Sequence, residues 1–232
     1  MRYLVVIPAR GGSKGIPYKN IYKVAGKPLL EYAIDCMKEV KFEGDLVVST
    51  DDDKIASVAG KYEFVTVIKR PDDISNDTAK TEAALIHALA YMKEMYGKDY
   101  DAVVTLQPTS PLRKSRTVQE FMAAYEKGAE EFDAILTLSE DRSDFWVKKE
   151  DGSYGRLFPD APRRRQERAP LFVENSAIYI TKKESLIECN SVLGKKVNGY
   201  VIDASEGVDI NELSDIMLAE SLLLQEREEI EG

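Results

Sequence analysis

The feature that most constrains the fold is an alternation of short valine- and isoleucine-rich runs with segments of helical character. The apolar runs include "YLVVIPA", "DLVVST" and "DAVVTLQ", and "TEAALIHALAYMKEMYG" is one of the helix-like segments between them. Continuous Val/Ile/Leu strands separated by helices are typical of a mostly parallel sheet covered on both faces. The pattern therefore predicts an α/β fold with three layers and a doubly wound, mostly parallel, mixed sheet.

The length and the end of the alternation predict how the chain is organised. With 232 residues, the chain suits one such domain, and residues 1–232 are treated as a single unit. The alternation breaks after Leu138, where a polar and turn-rich stretch contains the only tryptophan. Residues 139–170 are therefore expected to leave the sheet as an excursion. Further strands and an amphipathic helix then close the domain.

Charge and composition exclude several classes of function. The formal net charge of −9 argues against a nucleic-acid-binding surface, which is normally basic. No apolar run approaches the roughly 20 residues of a membrane span, and no secretory signal pattern is present. Neither nucleic acid nor membrane is therefore expected as a partner, and the predicted location is cytoplasmic. The cysteines, Cys36 and Cys189, are far apart, and the one histidine lies in a helical apolar stretch. The chemistry is thus expected to use carboxylates, basic residues and a metal ion.

A basic, glycine-rich loop follows the first predicted strand, in "IPARGGSKGIPYKN". Glycines allow backbone N–H groups to approach an anion closely, and Arg10 and Lys14 add positive charge. The spacing matches neither the Walker A motif nor the dinucleotide-binding motif. These residues suit a polyphosphate cradle, although composition alone leaves a plain surface turn as the alternative.

Two acidic stretches near other strand ends allow a capping role as well as a binding role. Asp51 or Asp52 is expected to cap the helix that follows "VVST", while the run of aspartates through Asp53 also suits the metal site of a glycosyltransferase. Asp77 or Thr78 could likewise cap the next helix or bind a ligand.

The first loop and a series of later motifs resemble the acylneuraminate cytidylyltransferase (CMP-sialic acid synthetase) family. The match extends over nearly the whole chain, and the first loop and "LQPTSPLR" are its most specific parts. The later motifs, in the order of the family, are "STDD", "RPDDISNDTA", "LQPTSPLR", "RRQE", "ENSAIYI" and "VDIN".

This resemblance implies a fold like that of nucleotide-diphospho-sugar transferases, with the excursion as a protruding dimerisation arm. The implied reaction transfers CMP from CTP to the anomeric hydroxyl of a nonulosonic, sialic-acid-like 2-keto sugar acid and releases pyrophosphate. It uses Mg²⁺, needs neither histidine nor cysteine, and is carried out by a homodimer in which residues 139–170 help to close the partner's sugar pocket.

Site residues follow from the resemblance by position. Those implied to bind the nucleotide are Arg10, Gly11, Gly12, Lys14, Lys19, Asn20, Arg70 and Thr81. Those implied to act in catalysis are Arg10, Lys14, Gln107 and Asp209. Gln107 would lie between the nucleotide and the sugar, and Arg113 could bind an anion or support the fold.

The implied metal ligands are Asp209 and Asn211, where the family usually has two aspartates. An amide oxygen can ligate a hard cation but brings no charge, so weaker binding is expected. Asn211 also stands just before the final helix, where it could instead be the N-cap.

Arg165 and Tyr179 are implied to bind the sugar together with Gln107, and an arginine suits the grip on a sugar carboxylate. Many sialate-using relatives carry a second arginine where this chain has Val173, so the acceptor can be another nonulosonic acid or a different sugar altogether. The alternatives are a related nucleotidyltransferase acting on 3-deoxy-octulosonate or a sugar phosphate, a DxD glycosyltransferase, and a non-catalytic nucleotide-binding protein.

Overall fold

The computed structural model describes residues 1–13, 15–76 and 78–231. Helices and strands alternate through most of the chain. The helices are α1 (Leu29–Cys36), α2 (Asp53–Ala59), α3 (Thr81–Tyr96), α4 (Ser115–Gly128), α5 (Lys183–Cys189) and α6 (Leu213–Glu231). The strands are β1 (Arg2–Pro8), β2 (Lys23–Val24), β3 (Lys27–Pro28), β4 (Glu43–Thr50), β5 (Val65–Lys69), β6 (Ala102–Leu106), β7 (Ala134–Asp141), β8 (Trp146–Lys148), β9 (Tyr154–Arg156), β10 (Leu171–Lys182) and β11 (Val197–Val201).

The central sheet has seven strands in the order β11-β7-β10-β6-β1-β4-β5. Strands β5, β4, β1 and β6 run parallel to one another, and β11 runs parallel to β7. Strand β10 lies between β6 and β7 and is antiparallel to both. The predicted mostly parallel, mixed sheet is confirmed. The antiparallel insertion matters for the site because it brings the "ENSAIYI" motif beside β6, the strand that leads to Gln107.

The alternation of side chains along β1 explains the three layers. Tyr3, Val5 and Ile7 are fully buried on one face, in a cluster with residues of α1 and α4. Leu4 and Val6 are fully buried on the other face, in a cluster with residues of α3. Burying an aliphatic side chain of this size stabilises the folded state by about 1.5–3 kcal/mol. A strand that is apolar at every position is therefore stable only with helices on both faces.

A third apolar cluster fixes the loops at the carboxyl end of the sheet. Ile16, Leu112 and Ile210 come from three loops that are distant in sequence, and all three are buried against α6. The first loop is thus held at Ile16 by the core and is exposed on either side of it, at Gly15 and Pro17.

The excursion is a small hairpin apart from the main sheet. Strand β7 continues to Asp141, so the chain leaves the sheet at residue 142 rather than 139, and it returns with β10 at Leu171. Strands β8 and β9 pair with each other. Arg156 Nε donates to Asp144 Oδ1 at 2.9 Å, and Arg168 Nη2 lies 3.6 Å from the other oxygen of that carboxylate. Arg156 and Arg168 therefore hold the hairpin together through Asp144.

The remaining expectations concern cysteines and membranes. Cys36 is buried and Cys189 ends α5, and neither forms a disulfide. Over the described ranges, no helix combines the length and the apolar character needed to cross a membrane.

Candidate active site

A cavity of about 400 Å³ opens at the carboxyl ends of β1 and β6. Ligands of open α/β sheets bind at this edge, where loops leave the sheet. The lining combines residues from the first loop, the start of α3, the loop after β6 and the segment before α6. The lining residues are Pro8, Arg10, Ser13, Gly15, Lys19, Asn20, Arg70, Ala79, Lys80, Thr81, Gln107, Pro108, Thr109, Ser176, Asp209 and Asn211.

The first loop is held by bonds to neighbouring segments. The N–H of Gly11 donates to Asp51 Oδ1 at 3.0 Å, so this amide is directed to the loop after β4. Arg10 Nη1 donates to the carbonyl oxygen of Asn76 at 3.2 Å. Gly12 is exposed, with no atom near the place of a side chain. Lys14, predicted to bind the triphosphate, lies outside the described residues.

Lys19 joins the first loop to the segment before α6. Its Nζ donates to the carbonyl oxygen of Ile210 at 2.7 Å and to Asn211 Oδ1 at 3.2 Å. Asn211 Nδ2 in turn donates to Asp209 Oδ2 at 2.7 Å. Burial lowers the pKa of the Lys19 ammonium, while Asp209 opposes the shift. Lys19 thus forms one hydrogen-bonded chain at the cavity wall with Asn211 and Asp209, two predicted residues about 190 positions later in the sequence.

Asn20 and Arg70 are buried residues of the cavity lining. Asn20 Nδ2 donates to the carbonyl oxygen of Arg10 at 2.8 Å. Arg70 Nε and Nη2 donate to the hydroxyl and the carbonyl oxygen of Ser49 at 3.1 and 2.7 Å. Burial lowers the pKa of Arg70, with Asp51 acting in the opposite direction. Thr81, the first residue of α3, completes this side of the cavity.

Arg113 supports the loop that carries Gln107. Arg113 Nη1 donates to the carbonyl oxygens of Gln107 and Ala177, at 3.1 and 2.7 Å. The guanidinium is fully buried, and burial lowers its pKa. Of the two roles considered for Arg113, the structure therefore supports the one in the fold. Gln107 itself lines the cavity between the first loop and β10.

A second cavity of about 500 Å³ adjoins the first, and Ser176 and Asp209 line both. Arg165, predicted to bind the sugar, is exposed and lines this second cavity together with Val173 and Glu174. Tyr179 is buried, and its hydroxyl donates to Glu174 Oε1. The predicted sugar residue Tyr179 thus lies behind the wall and orients a residue of the wall.

Each side chain of the aspartate run is bonded to another group of the protein. Asp52 is the N-cap of α2, and its Oδ1 accepts from the N–H groups of Lys54 and Ile55 at 2.8 and 3.0 Å, which confirms the predicted cap. Asp53 Oδ1 accepts from Lys69 Nζ at 2.6 Å. With Asp51 bonded to the first loop as well, this run gives no support to a DxD metal site.

Two capping alternatives are not supported. Helix α3 begins at Thr81 with Lys80 at the cap position, so Thr78 is not its N-cap. Asp77 lies outside the described residues. Asn211 directs its side chain to Asp209 and Lys19 rather than to the N–H groups of α6.

Asp209 and Asn211 offer a sparse set of metal donors. The Asp209 carboxylate lies where the two cavities meet, and the amide of Asn211 lies beside it in the lining of the first cavity. Among the described residues, no group of three or more His, Cys, Asp or Glu side chains converges on one point. Mg²⁺ is commonly held by one or two carboxylates with substrate phosphates and water completing its shell. The pair fits this mode of binding.

Sequence reasoning missed several wall residues. Lys80 stands at the entrance to α3 and adds a basic group to the first cavity. The signal in the sequence was its position, directly after the motif "RPDDISNDTA" and directly before α3. Ser176 and Asn175 lie within the motif "ENSAIYI", and nothing in the sequence indicates their backbone conformation.

Comparison with known proteins decides the family. A family model described as cytidylyltransferase matches residues 4–205. The chain belongs to the cytidylyltransferase family. This chain is 32% identical to the CMP-N,N'-diacetyllegionaminic acid synthase of Legionella pneumophila over 228 residues, which cover 96% of this chain and 97% of that protein. It is 27% identical to the N-acylneuraminate cytidylyltransferase of Escherichia coli over 221 residues, covering 94% of this chain and 51% of that protein.

A solved structure supports the fold. The CMP:2-keto-3-deoxy-manno-octonic acid synthetase complexed with CTP matches with a TM-score of 0.66 at 17% identity, covering 97% of this chain and all of that one. At this identity the match bears on the fold alone, and it confirms the predicted α/β fold. The family and the relatives confirm the resemblance to acylneuraminate cytidylyltransferases. They show that this protein is a nucleotidyltransferase enzyme. They favour this activity over glycosyl transfer and over a non-catalytic role.

Proposed function

We propose that this enzyme transfers CMP from CTP to the anomeric hydroxyl of a nonulosonic 2-keto sugar acid and releases pyrophosphate. The observation that carries the proposal is the pair of adjoining cavities. One has a basic lining with Arg10, Lys19 and Arg70, the other is bordered by Arg165, and the two meet at Asp209. Such a pair accommodates a nucleoside triphosphate and an acidic acceptor with their reacting groups in contact.

At the nucleotide end, positive charge assists the transfer. Arg10 and Lys19 lie on the wall from which Asp209 also projects, and Lys14 is proposed to bind the triphosphate with them. Neutralising the oxygens of the α-phosphate and of the leaving pyrophosphate is the main contribution that a protein makes to this type of reaction. Because the Asn20 amide nitrogen donates to Arg10, its oxygen is the group that would accept a hydrogen bond from the amino group of cytosine.

At the acceptor end, we assign Arg165 to the carboxylate of the sugar acid. A guanidinium can hold a carboxylate through two parallel hydrogen bonds. Gln107 lines the first cavity together with Ser176 and Asp209, and we propose that it contacts both substrates. Tyr179 would act through Glu174, which lines the second cavity. The relative with 32% identity is named for a diacetyllegionaminic acid, so that sugar is the first acceptor to test.

Magnesium is part of the proposal. Asp209 and Asn211 would hold the ion together with the phosphates of CTP. When bound, it would supply further neutralisation of phosphate charge. Lys19, bonded to Asn211, would keep the amide oxygen in place before the nucleotide binds.

We also propose a homodimer and a cytoplasmic location. Trp146, Tyr154, Phe158 and Phe172 are each about half exposed or more on or beside the excursion. Exposed aromatic groups of this density are typical of an interface between protein chains. Replacing both Trp146 and Tyr154 by aspartate should shift the mass in light scattering to that of one chain, and an unchanged mass would refute this interface.

The test of the function is pyrophosphate release with Mg²⁺ and each of the four common nucleoside triphosphates. Acceptors should include N-acetylneuraminic, legionaminic and pseudaminic acids, 3-deoxy-octulosonate and a sugar phosphate. We expect release with CTP and a nonulosonic acid, and its reduction in the Lys14→Ala variant. Release only with 3-deoxy-octulosonate or a sugar phosphate would change the substrate pair. No release from any combination would reject the enzyme reading.

A further inference from the structure

Ser176 has a backbone conformation that favours glycine. Its φ angle is +60°, in the left-handed region. It stands where the pairing of β10 with β7 shifts register, between Glu174 and Tyr179. A serine here carries a Cβ that the conformation disfavours. Strained residues of this kind persist where the surrounding structure fixes them, and they concentrate at functional sites.

The side chain of Asn175 fixes this bulge. Its Oδ1 accepts from the Thr137 hydroxyl at 2.6 Å and from the Ala177 N–H at 3.2 Å, and its Nδ2 donates to the Ser139 hydroxyl at 3.0 Å. Gly207 packs directly on this group, because a Cβ there would lie 2.9 Å from Asn175 Nδ2 and 2.7 Å from Ser139 Oγ. The bulge at Ser176 and the segment that leads to Asp209 are therefore held by one buried cluster.

The position of Ser176 is shared by both cavities. It lines the nucleotide cavity and the acceptor cavity, as Asp209 does, and it is half-buried. Burial and the bond to Glu174 raise the pKa of Tyr179, and Ser176 acts against this rise. Ser176 thus offers a hydroxyl at the point where the two substrates would meet.

The charges of the acceptor cavity indicate what this hydroxyl would bind. Glu140, Asp141, Glu174 and Asp209 contribute carboxylates to the lining, whereas Arg165 contributes a cation. The carboxylates of the lining repel an acidic acceptor. The carboxylate of the acceptor must therefore lie near hydrogen-bond donors. In a 2-keto sugar acid the carboxylate is attached to the carbon that carries the attacking hydroxyl. That carbon must lie beside the nucleotide cavity, where Ser176 is placed.

We propose that Ser176 is a substrate-contacting residue whose hydroxyl donates to the carboxylate of the acceptor and positions its reacting carbon between the two cavities. The inference rests on the proposed function, since it assumes an acidic sugar acceptor. A purely conformational role would be served better by glycine, which adopts this φ without a steric penalty. The contact would place the attacking oxygen close to the α-phosphate, and such positioning is a large part of catalysis.

The experiment compares Ser176→Gly with Ser176→Ala. Both substitutions remove the hydroxyl, but only the glycine removes the backbone strain at the left-handed φ angle. S176G should therefore unfold at or above the wild-type temperature. We expect both variants to lower kcat/KM for the sugar acid by about tenfold or more, the usual effect of losing a hydrogen bond to a charged group. Binding of CTP alone, measured by calorimetry, should stay within about twofold, since the lost contact is to the acceptor.

The outcomes separate this inference from the proposed function. With the methyl ester of the acceptor, the wild type and S176G should differ less than with the free acid, because the ester removes the proposed contact. Wild-type kcat/KM for the free acid in S176G would overturn the inference while leaving the proposed function intact. Absence of pyrophosphate release by the wild type would instead reject the proposed function and this inference with it. If S176A fails to fold, S176G alone decides the question.

Discussion

The contact between Gly15 and Asn211 makes the packing of the first loop testable. A Cβ added to Gly15 would lie 2.6 Å from the carbonyl oxygen of Asn211, whereas ordinary contacts begin near 3.4 Å. Both groups belong to backbone, so neither can rotate away. The Gly15→Ala substitution must therefore move the first loop and the segment before α6 apart by most of an ångström.

The magnitude follows from this overlap. Forcing an extra carbon into a packed contact costs about 1–3 kcal/mol. A chain of this size loses roughly 2–4 °C of melting temperature per kcal/mol, so Gly15→Ala should melt about 2–12 °C below the wild type. The shift also separates Lys19 from Ile210 and Asn211, its two hydrogen-bond partners. A displacement of this size can lower kcat/KM by about 100-fold.

The assays are thermal unfolding and pyrophosphate release at varied CTP. Gly12→Ala is the matched control for stability, because it lies in the same loop with nothing within 4 Å of the added Cβ. Its stability should stay within about 0.5 kcal/mol of the wild type. If Gly15→Ala has the same melting temperature as Gly12→Ala and wild-type kinetics for CTP, the first loop and the segment before α6 are not in contact at Gly15. That result would refute the reasoning.

Three further predictions test the cavity wall and the core. Lys19→Met should lower kcat/KM for CTP by about 10–100-fold through loss of a charged hydrogen-bond donor, whereas the exposed Lys23→Met should change it little; equal effects would contradict the role of Lys19. Asn211→Asp should lower the Mg²⁺ concentration needed for half-maximal rate, since a second carboxylate adds charge; an unchanged requirement would remove residue 211 from the metal site. Burial raises the pKa of Tyr125 to about 12, above its unfolded value near 10. The associated stability is present below pH 10 and is lost as the pH rises towards 12. Between pH 10 and 12, the free energy of unfolding measured in urea should therefore fall by about 2 kcal/mol less in Tyr125→Phe than in the wild type. An equal fall in both proteins would contradict the assignment of this loss to Tyr125.

Much of the fold could be predicted because it depends on local patterns. Strand β1 is apolar at successive positions, which requires helices on both faces, and it has them. Asp52 was recognised as a cap because the preference for aspartate at that position is a local effect of its side chain. The order of motifs in the family also identified the wall of the first cavity, including Asn20, Gln107 and Asp209.

Other features could not be read from local patterns. The excursion begins at residue 142 because β7 pairs with β10 as far as Asp141, and pairing partners are not visible in one strand. Asn211 was an equally good cap by position, and only the nearby Lys19 and Asp209 show that its side chain turns to the cavity.

The sequence by itself determined the layered α/β architecture and the basic, glycine-rich loop at the end of the first strand, because periodicity and residue type act over a few neighbouring positions. The tertiary structure alone decided how the parts of the site meet. The antiparallel insertion of β10 brings Ser176 between the cavities, and Asn175 holds it in a conformation that a serine does not favour. Such an arrangement depends on contacts between segments far apart in the chain, whose energies no short stretch of sequence contains.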